Sequence, residues 1–194
     1  SCHCTVSGQV ESSNGICTTC NTGYTNIITG QISCNVCATG YYSTTGYASG
    51  TNTGCTSCTT PGYTTDRSGQ TFCNVCSIGY YSATGYASGV NTGCIPCSEG
   101  YTNSNIGQQS CNVCVKGYYS SNGYASGINT GCTRCSEQYS SSKSSLATTE
   151  SDCDVCAIGY YSSNGLRSGA GGCILCPTGY STSQTSGNNC DKCA

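Results

Sequence analysis

Cysteine is the residue here whose type and spacing carry chemistry. Ten Cys-x-x-Cys pairs begin at Cys17, Cys34, Cys55, Cys73, Cys94, Cys111, Cys132, Cys153, Cys173 and Cys190, preceded by a shorter pair, Cys2 and Cys4. Three chemistries use such pairs. Two successive pairs supply four thiolates to a tetrahedral zinc, with linkers here slightly short of the usual range. Zinc modules that serve intracellular partners are rich in Lys and Arg, whereas this chain has six basic residues and one histidine, His3. Dithiol redox catalysis needs a Cys-x-x-Cys at a helix N-terminus, where the helix dipole lowers a thiol pKa, and ten copies in Gly-rich sequence do not fit it. The third chemistry, structural disulfides in an oxidising extracellular space, fits an even count of 22 cysteines in a chain with little apolar material. It is the reading adopted.

Other sites are few. His3 is the single imidazole and lies between two cysteines, so hydrolytic triads fail on inventory. Eight carboxylates are scattered, and the one local group is Glu150, Asp152 and Asp154 around Cys153. Alternating acids can begin a calcium loop, but the glycine and terminal Glu of an EF-hand are missing, which favours a solvated loop. No phosphate-cradling motif and no Asn-x-Ser/Thr sequon occurs; the abundant Ser and Thr leave O-glycosylation open. No catalytic, cofactor or metal residue is expected, and the chain is read as non-enzymatic.

The elements that must position these cysteines cannot rest on an oily core. Met and Trp are absent, Phe occurs once, and the net charge is only −2 across 194 residues. That balance gives neither apolar burial nor the self-repulsion of a disordered tail. With so few basic residues there is no stripe to neutralise phosphates, so nucleic acid is not an expected partner. No apolar run approaches a membrane span, so direct insertion within these residues is not expected, and any anchor would lie outside them.

The pairs belong to a repeat. Long and short spacings alternate, so the unit is two half-repeats of roughly 40 residues together. The long half reads CNVCATGYYSTTGYASGTNTG from Cys34, with near-copies from Cys73 and Cys111; a fourth from Cys153 replaces Tyr-Ala by Leu166-Arg167 and loses the NTG. The short half is a pair, then Gly-Tyr-Thr, then a Gly-Gln turn. Its copy after Cys132 puts Gln138 where Gly belongs and adds about four residues, marking Ser136 to Asp152 as a mobile or specialised loop. This divides the chain into a partial repeat (1–33), repeats at 34–72 and 73–110, a repeat with an expanded short half (111–152), a degenerate repeat (153–189) and the start of the next (190–194).

No window has helical periodicity, and Gly is too frequent for a helix to propagate. Short extended segments such as Gly40-Tyr41-Tyr42-Ser43, bounded by turn signals, predict small hairpins. The expected fold class is therefore small and disulfide-rich, a linear array of stacked cystine modules with short β-hairpins and almost no helix. The tyrosine four residues after each second cysteine (Tyr24, Tyr41, Tyr80, Tyr101, Tyr118, Tyr139, Tyr160 and Tyr180, with Tyr63 offset by one) is the expected module-packing aromatic and the nearest thing to a core residue.

Two disulfide tilings respect the repeat. In one, the second cysteine of each pair closes on the first of the next: Cys4 with Cys17, Cys20 with Cys34, Cys37 with Cys55, Cys58 with Cys73, Cys76 with Cys94, Cys97 with Cys111, Cys114 with Cys132, Cys135 with Cys153, Cys156 with Cys173 and Cys176 with Cys190. Cys2 and Cys193 are then left for inter-repeat or intermolecular bonds. In the other, pairs lock first to first and second to second, as Cys34 with Cys55 and Cys37 with Cys58, but eleven pairs cannot all be matched that way. The first is preferred. Closing such loops is worth about 3 kcal/mol each in the chain-entropy model, not additively.

The pattern CxxCxxGYYSxxG followed by another pair resembles the growth-factor-receptor-type and ephrin-receptor-like cysteine-rich repeats. In its Ser, Thr, Asn and Gly content it is similar to the surface immobilization antigens of ciliates. The resemblance implies a secreted or surface-anchored array without enzymatic activity. The expected role is structural: an extracellular or cell-surface rod that self-associates as a homopolymer into a filament or coat. The alternative is a ligand-binding or adhesive ectodomain with a protein or glycan ligand, its face sought at Ser136 to Asp152 and at Leu166-Arg167, where the repeat breaks.

Overall fold

The computed structural model describes residues 4, 6, 8–11, 14–28, 31–50, 52–143, 146–169 and 171–193, the last two as backbone only. Cys2, His3 and the Cys193 side chain, and with them the expected bonds of the two end cysteines, lie outside the described residues. The described residues form a tandem array of ten two-stranded antiparallel sheets, each pairing consecutive strands. Among the described residues the only helical turn is the 3₁₀ segment Glu150–Asp152. The chain divides into two compact units, one of Ser1–Pro96 with Asn105–Gln109 and one of Cys97–Ser104 with Ser110–Ala194.

One rule builds nearly every hairpin. The strand that follows Gly-Tyr pairs with the centre of the next Cys-x-x-Cys. In the short halves Tyr24–Thr25 pairs with Val36–Cys37, Tyr63–Thr64 with Val75–Cys76, Tyr101–Thr102 with Val113–Cys114 and Tyr139–Ser140 with Val155–Cys156. In the long halves Tyr41–Tyr42 pairs with Thr56–Ser57, Tyr80–Tyr81 with Ile95–Pro96, Tyr118–Tyr119 with Thr133–Arg134 and Tyr160–Tyr161 with Ile174–Leu175. Aromatic and β-branched residues suit these half-covered ribbons. Two-stranded ribbons alone are marginal in water, so closure must come from elsewhere.

The interior differs from the expectation that tyrosine comes nearest to a core. The most enclosed apolar side chains are the valines of the long pairs, with Val36 at 2% and Val75 at 1% exposure, and the cystines beside them. Valine is compact enough to fill the space beside a disulfide, whereas the recurring tyrosines other than Tyr180 lie half-buried across the outside of the junctions.

The turn before each short pair needs a left-handed residue. Asn52, Asn91 and Asn129 supply it at φ near 54°, Asn being among the few non-glycine residues that tolerate this region. Where the fourth copy has lost its NTG, Gly171 and Gly172 take positive φ instead.

Candidate functional site

Ten disulfides join Cys4–Cys17, Cys20–Cys34, Cys37–Cys55, Cys58–Cys73, Cys76–Cys94, Cys97–Cys111, Cys114–Cys132, Cys135–Cys153, Cys156–Cys173 and Cys176–Cys190. Each runs from the second cysteine of one pair to the first of the next, so each Cys-x-x-Cys from Cys17 to Cys176 is shared between two closed loops. With both thiols of a pair in different cystines, no described pair is a dithiol and none is a set of free thiolates for zinc.

The recurring surface of this molecule is the junction between half-repeats, and three contacts make it. The first is backbone against backbone. Cys37 donates its N–H to the Gly46 carbonyl at 3.1 Å and accepts at its own carbonyl from Gly69 N–H at 2.9 Å. Cys76 does the same between Gly85 (3.1 Å) and Gly107 (2.8 Å), and Cys156 between Gly165 (3.0 Å) and Ser186 (2.8 Å). A Cβ on Gly46 or Gly85 would overlap the carbonyl of Gly69 or Gly107, and one on Gly123 would lie 2.6 Å from Leu146 Cα. Glycine is therefore required at this close approach. Its partner must be left-handed: Gly69 and Gly107 serve in two modules, while Leu146 and Ser186 adopt φ of 62° and 67° in the divergent ones.

The second contact is a buried acceptor two residues after the short-half tyrosine. Asn26 and Thr65 are fully buried, as are Asn103, Ser141 and Thr182 within 3% exposure. Asn26 Oδ1 accepts Gly8 N–H at 2.7 Å and its Nδ2 donates to the Gln9 carbonyl at 2.6 Å. Thr65 Oγ1 accepts Gly40 N–H at 2.7 Å, and Thr182 Oγ1 accepts Gly159 N–H at 3.1 Å. Asn26, Thr65 and Thr182 thus each satisfy a glycine amide across the junction, whereas Ser141 Oγ accepts the local Lys143 N–H at 3.1 Å.

Tyrosine makes the third. The short-half hydroxyls of Tyr24, Tyr63 and Tyr101 accept the N–H of Cys55, Cys94 and Cys132 at 3.4, 3.2 and 3.2 Å, each 31 residues ahead. The long-half rings of Tyr41, Tyr80 and Tyr118 lie over Gly23, Gly62 and Gly100, where an added Cβ would come within 2.7, 2.6 and 2.6 Å of a ring carbon. Tyr139 sits beneath the Arg167 guanidinium, 4.5 Å from ring centroid to Cζ. Tyr160 is half-buried and pairs with Leu175. Tyr180 departs from the others, being 53% exposed.

The acidic group around Cys153 holds the expanded half-repeat together. Asp152 pairs with Lys143 at 2.8 Å and accepts the N–H groups of Thr148 (2.7 Å) and Thr149 (3.3 Å). The Lys143 ammonium, then the Thr148 amide, hold its carboxyl well below the usual range. Asp154 takes Ser142 through both its N–H (2.7 Å) and its hydroxyl (2.8 Å). Arg167 bonds the Glu150 carbonyl at 3.1 Å and lies 3.5 Å from its carboxylate. The two places where the sequence breaks its repeat are thus one contact set, and the described part of Ser136 to Asp152 is pinned at both ends. Among the described residues no group of three His, Cys, Asp or Glu is placed to hold a metal ion, and no helix is long and apolar enough to cross a membrane.

The geometry defines a disulfide-rich tandem hairpin-repeat protein of the kind made in oxidising, extracellular settings. No protein-family model matches the chain, and a search of curated proteins finds no similar sequence.

Proposed function

We propose that this chain is a structural protein of the extracellular space or cell surface, whose copies continue end to end through the same junction that joins its half-repeats, giving a filament or coat. The observation that carries this reading is the recurrence of one heterologous contact: a glycine-lined turn on one side and a left-handed residue with a buried acceptor on the other, at Gly46 with Gly69, Gly85 with Gly107, and Gly165 with Ser186. A head-to-tail contact that does not close on itself propagates into a fibre. The role is structural and not catalytic.

Negative-stain electron microscopy of native material, isolated without reductant, tests it. Long filaments with an axial repeat are expected, shortening when mild reductant opens exposed cystines. Discrete particles of constant size as concentration rises would overturn the assembly reading.

A further inference from the structure

In a chain so poor in charge, four charged side chains line one cleft of about 230 Å³: Lys116, Arg134, Glu99 and Glu137, with Tyr118 and Tyr139 between them. The positions are those the repeat fills with neutral residues elsewhere. Lys116 stands where the other long halves have Thr39, Ile78 and Ile158; Arg134 stands where they have Ser57, Pro96 and Leu175. Arg134 is also the cross-strand neighbour of Tyr118, so the short ribbon itself brings the guanidinium to the cleft.

The cations are what set this cleft apart. Arg67, Lys143 and Arg167 each have a carboxylate partner. Among the described residues Lys116 and Arg134 have none; Lys116 is instead steadied by donating to Thr185 Oγ1 at 2.7 Å. Of the acids beside them, Glu99 is engaged by a neutral donor. Glu99 accepts the Tyr118 hydroxyl at 3.0 Å, and burial followed by that carboxylate raises the phenol's pKa. Two cations without a carboxylate select an anionic group, because Arg and Lys donors bind carboxylates through charge-assisted hydrogen bonds. Two carboxylates at the same cleft disfavour a polyanion but accept hydroxyl protons. Tyrosine rings and Ile158 add apolar wall. The volume is below the roughly 300–1,000 Å³ of drug-sized pockets, which limits the ligand to about one ring.

We propose that this cleft binds a single acidic sugar, a uronate, with its carboxylate on Lys116 and Arg134 and its hydroxyls on Glu99 and Glu137. This site is independent of whether copies assemble.

The test is a titration of the full, disulfide-intact chain with D-glucuronate at neutral pH and low salt, followed by amide NMR shifts, with D-glucose and acetate as controls. Saturable shifts centred on Gly117, Arg134 and Tyr139 are expected with glucuronate, at least tenfold weaker binding with acetate, and none with glucose. Lys116→Thr with Arg134→Ser installs residues the repeat already uses at Thr39 and Ser57, and should weaken glucuronate binding at least tenfold with the remaining spectrum unchanged. No saturable shift with glucuronate, equal affinity for acetate, equal response to glucose, or undiminished binding by the folded double variant would each overturn the proposal. The wild-type titrations decide it even if the double variant does not fold.

Discussion

Replacing Thr65 by Val isolates the buried acceptor of the junction, because the two side chains have the same shape and differ in one oxygen. Thr65 is fully buried, and its Oγ1 lies 2.7 Å from the Gly40 amide nitrogen. In the variant Gly40 N–H keeps its place and loses its acceptor. Leaving a donor unsatisfied costs about 1–3 kcal/mol when it is buried; Gly40 is only part-buried, so the lower end applies, and at about 1.4 kcal/mol per factor of ten this is roughly a 5-fold rise in the local opening equilibrium. Global melting is a poor reporter in a molecule closed by a disulfide at each module, since opening is local to each module. Amide hydrogen exchange at Gly40 reads the affected contact directly. Thr65→Ser should restore most of the protection, and Thr65→Asn should approach it, since Asn26 performs this role at Gly8. Gly40 exchange in Thr65→Val within twofold of wild type, or as fast in Thr65→Ser as in Thr65→Val, would refute the assignment of Thr65 as an inter-module bolt.

Two further perturbations test other parts of the junction. Gly85→Ala drives a Cβ into the Gly107 carbonyl at a position of φ 78°, whereas Gly79→Ala meets nothing within 4 Å at φ 83°; the second should cost about 1–2 kcal/mol for left-handed backbone alone, and the first about 1–3 kcal/mol more. Exchange at the Gly107 amide, which bonds Cys76, should rise far more in Gly85→Ala, and equal effects would contradict the backbone-contact account. The Asp152 carboxyl is depressed by Lys143 and by the Thr148 amide, so it binds fewer protons folded than unfolded; its stabilisation is present above the unfolded value of about 4 and is lost as pH falls toward the folded pKa. Thr148 and Thr149 amides should therefore lose protection on acidification below about pH 4 while Gly40 does not, and Asp152→Asn should remove that pH dependence.

The sequence made some of this legible and hid the rest for physical reasons. The near absence of helix and the presence of short hairpins follow from Gly frequency and from the Gly-Tyr-Tyr segments, and the described residues form ten two-stranded sheets in tandem with one 3₁₀ turn. The identity of the enclosed residues was harder to see. Tyrosine recurs with the largest ring, yet Val36, Val75, Val113 and Val155 fill the space beside the cystines, because a module this thin has no depth for a phenol. The buried acceptor was hidden for a different reason: Asn26, Thr65, Asn103, Ser141 and Thr182 differ in type while sharing a position. What they share is a small side chain with an acceptor oxygen, a signal visible only when the half-repeats are aligned on the tyrosine two residues earlier. Left-handed Leu146 and Ser186 could not be read from residue type at all; only their alignment with Gly69 and Gly107 marks them.

The divergent fourth repeat follows from the same constraints. Expanding the short half after Cys132 lengthens a loop whose far end must still return to the Gly123 turn, and the Ala147 carbonyl accepts Ser120 N–H at 3.1 Å to do so. The added residues need anchors that a Gly-Gln turn did not. Asp152 ties the loop to Lys143, Asp154 replaces the Asn of CNVC and takes both donors of Ser142, and Arg167 replaces the Ala of the regular copies to reach Glu150 and cover Tyr139. A longer half-repeat therefore demands changes in the next one, because the contacts lie at the junction and not inside either half. In an array without a shared core the unit that must be compatible is the pair of neighbours, which is why three near-identical copies can sit beside a fourth that differs in several linked positions at once.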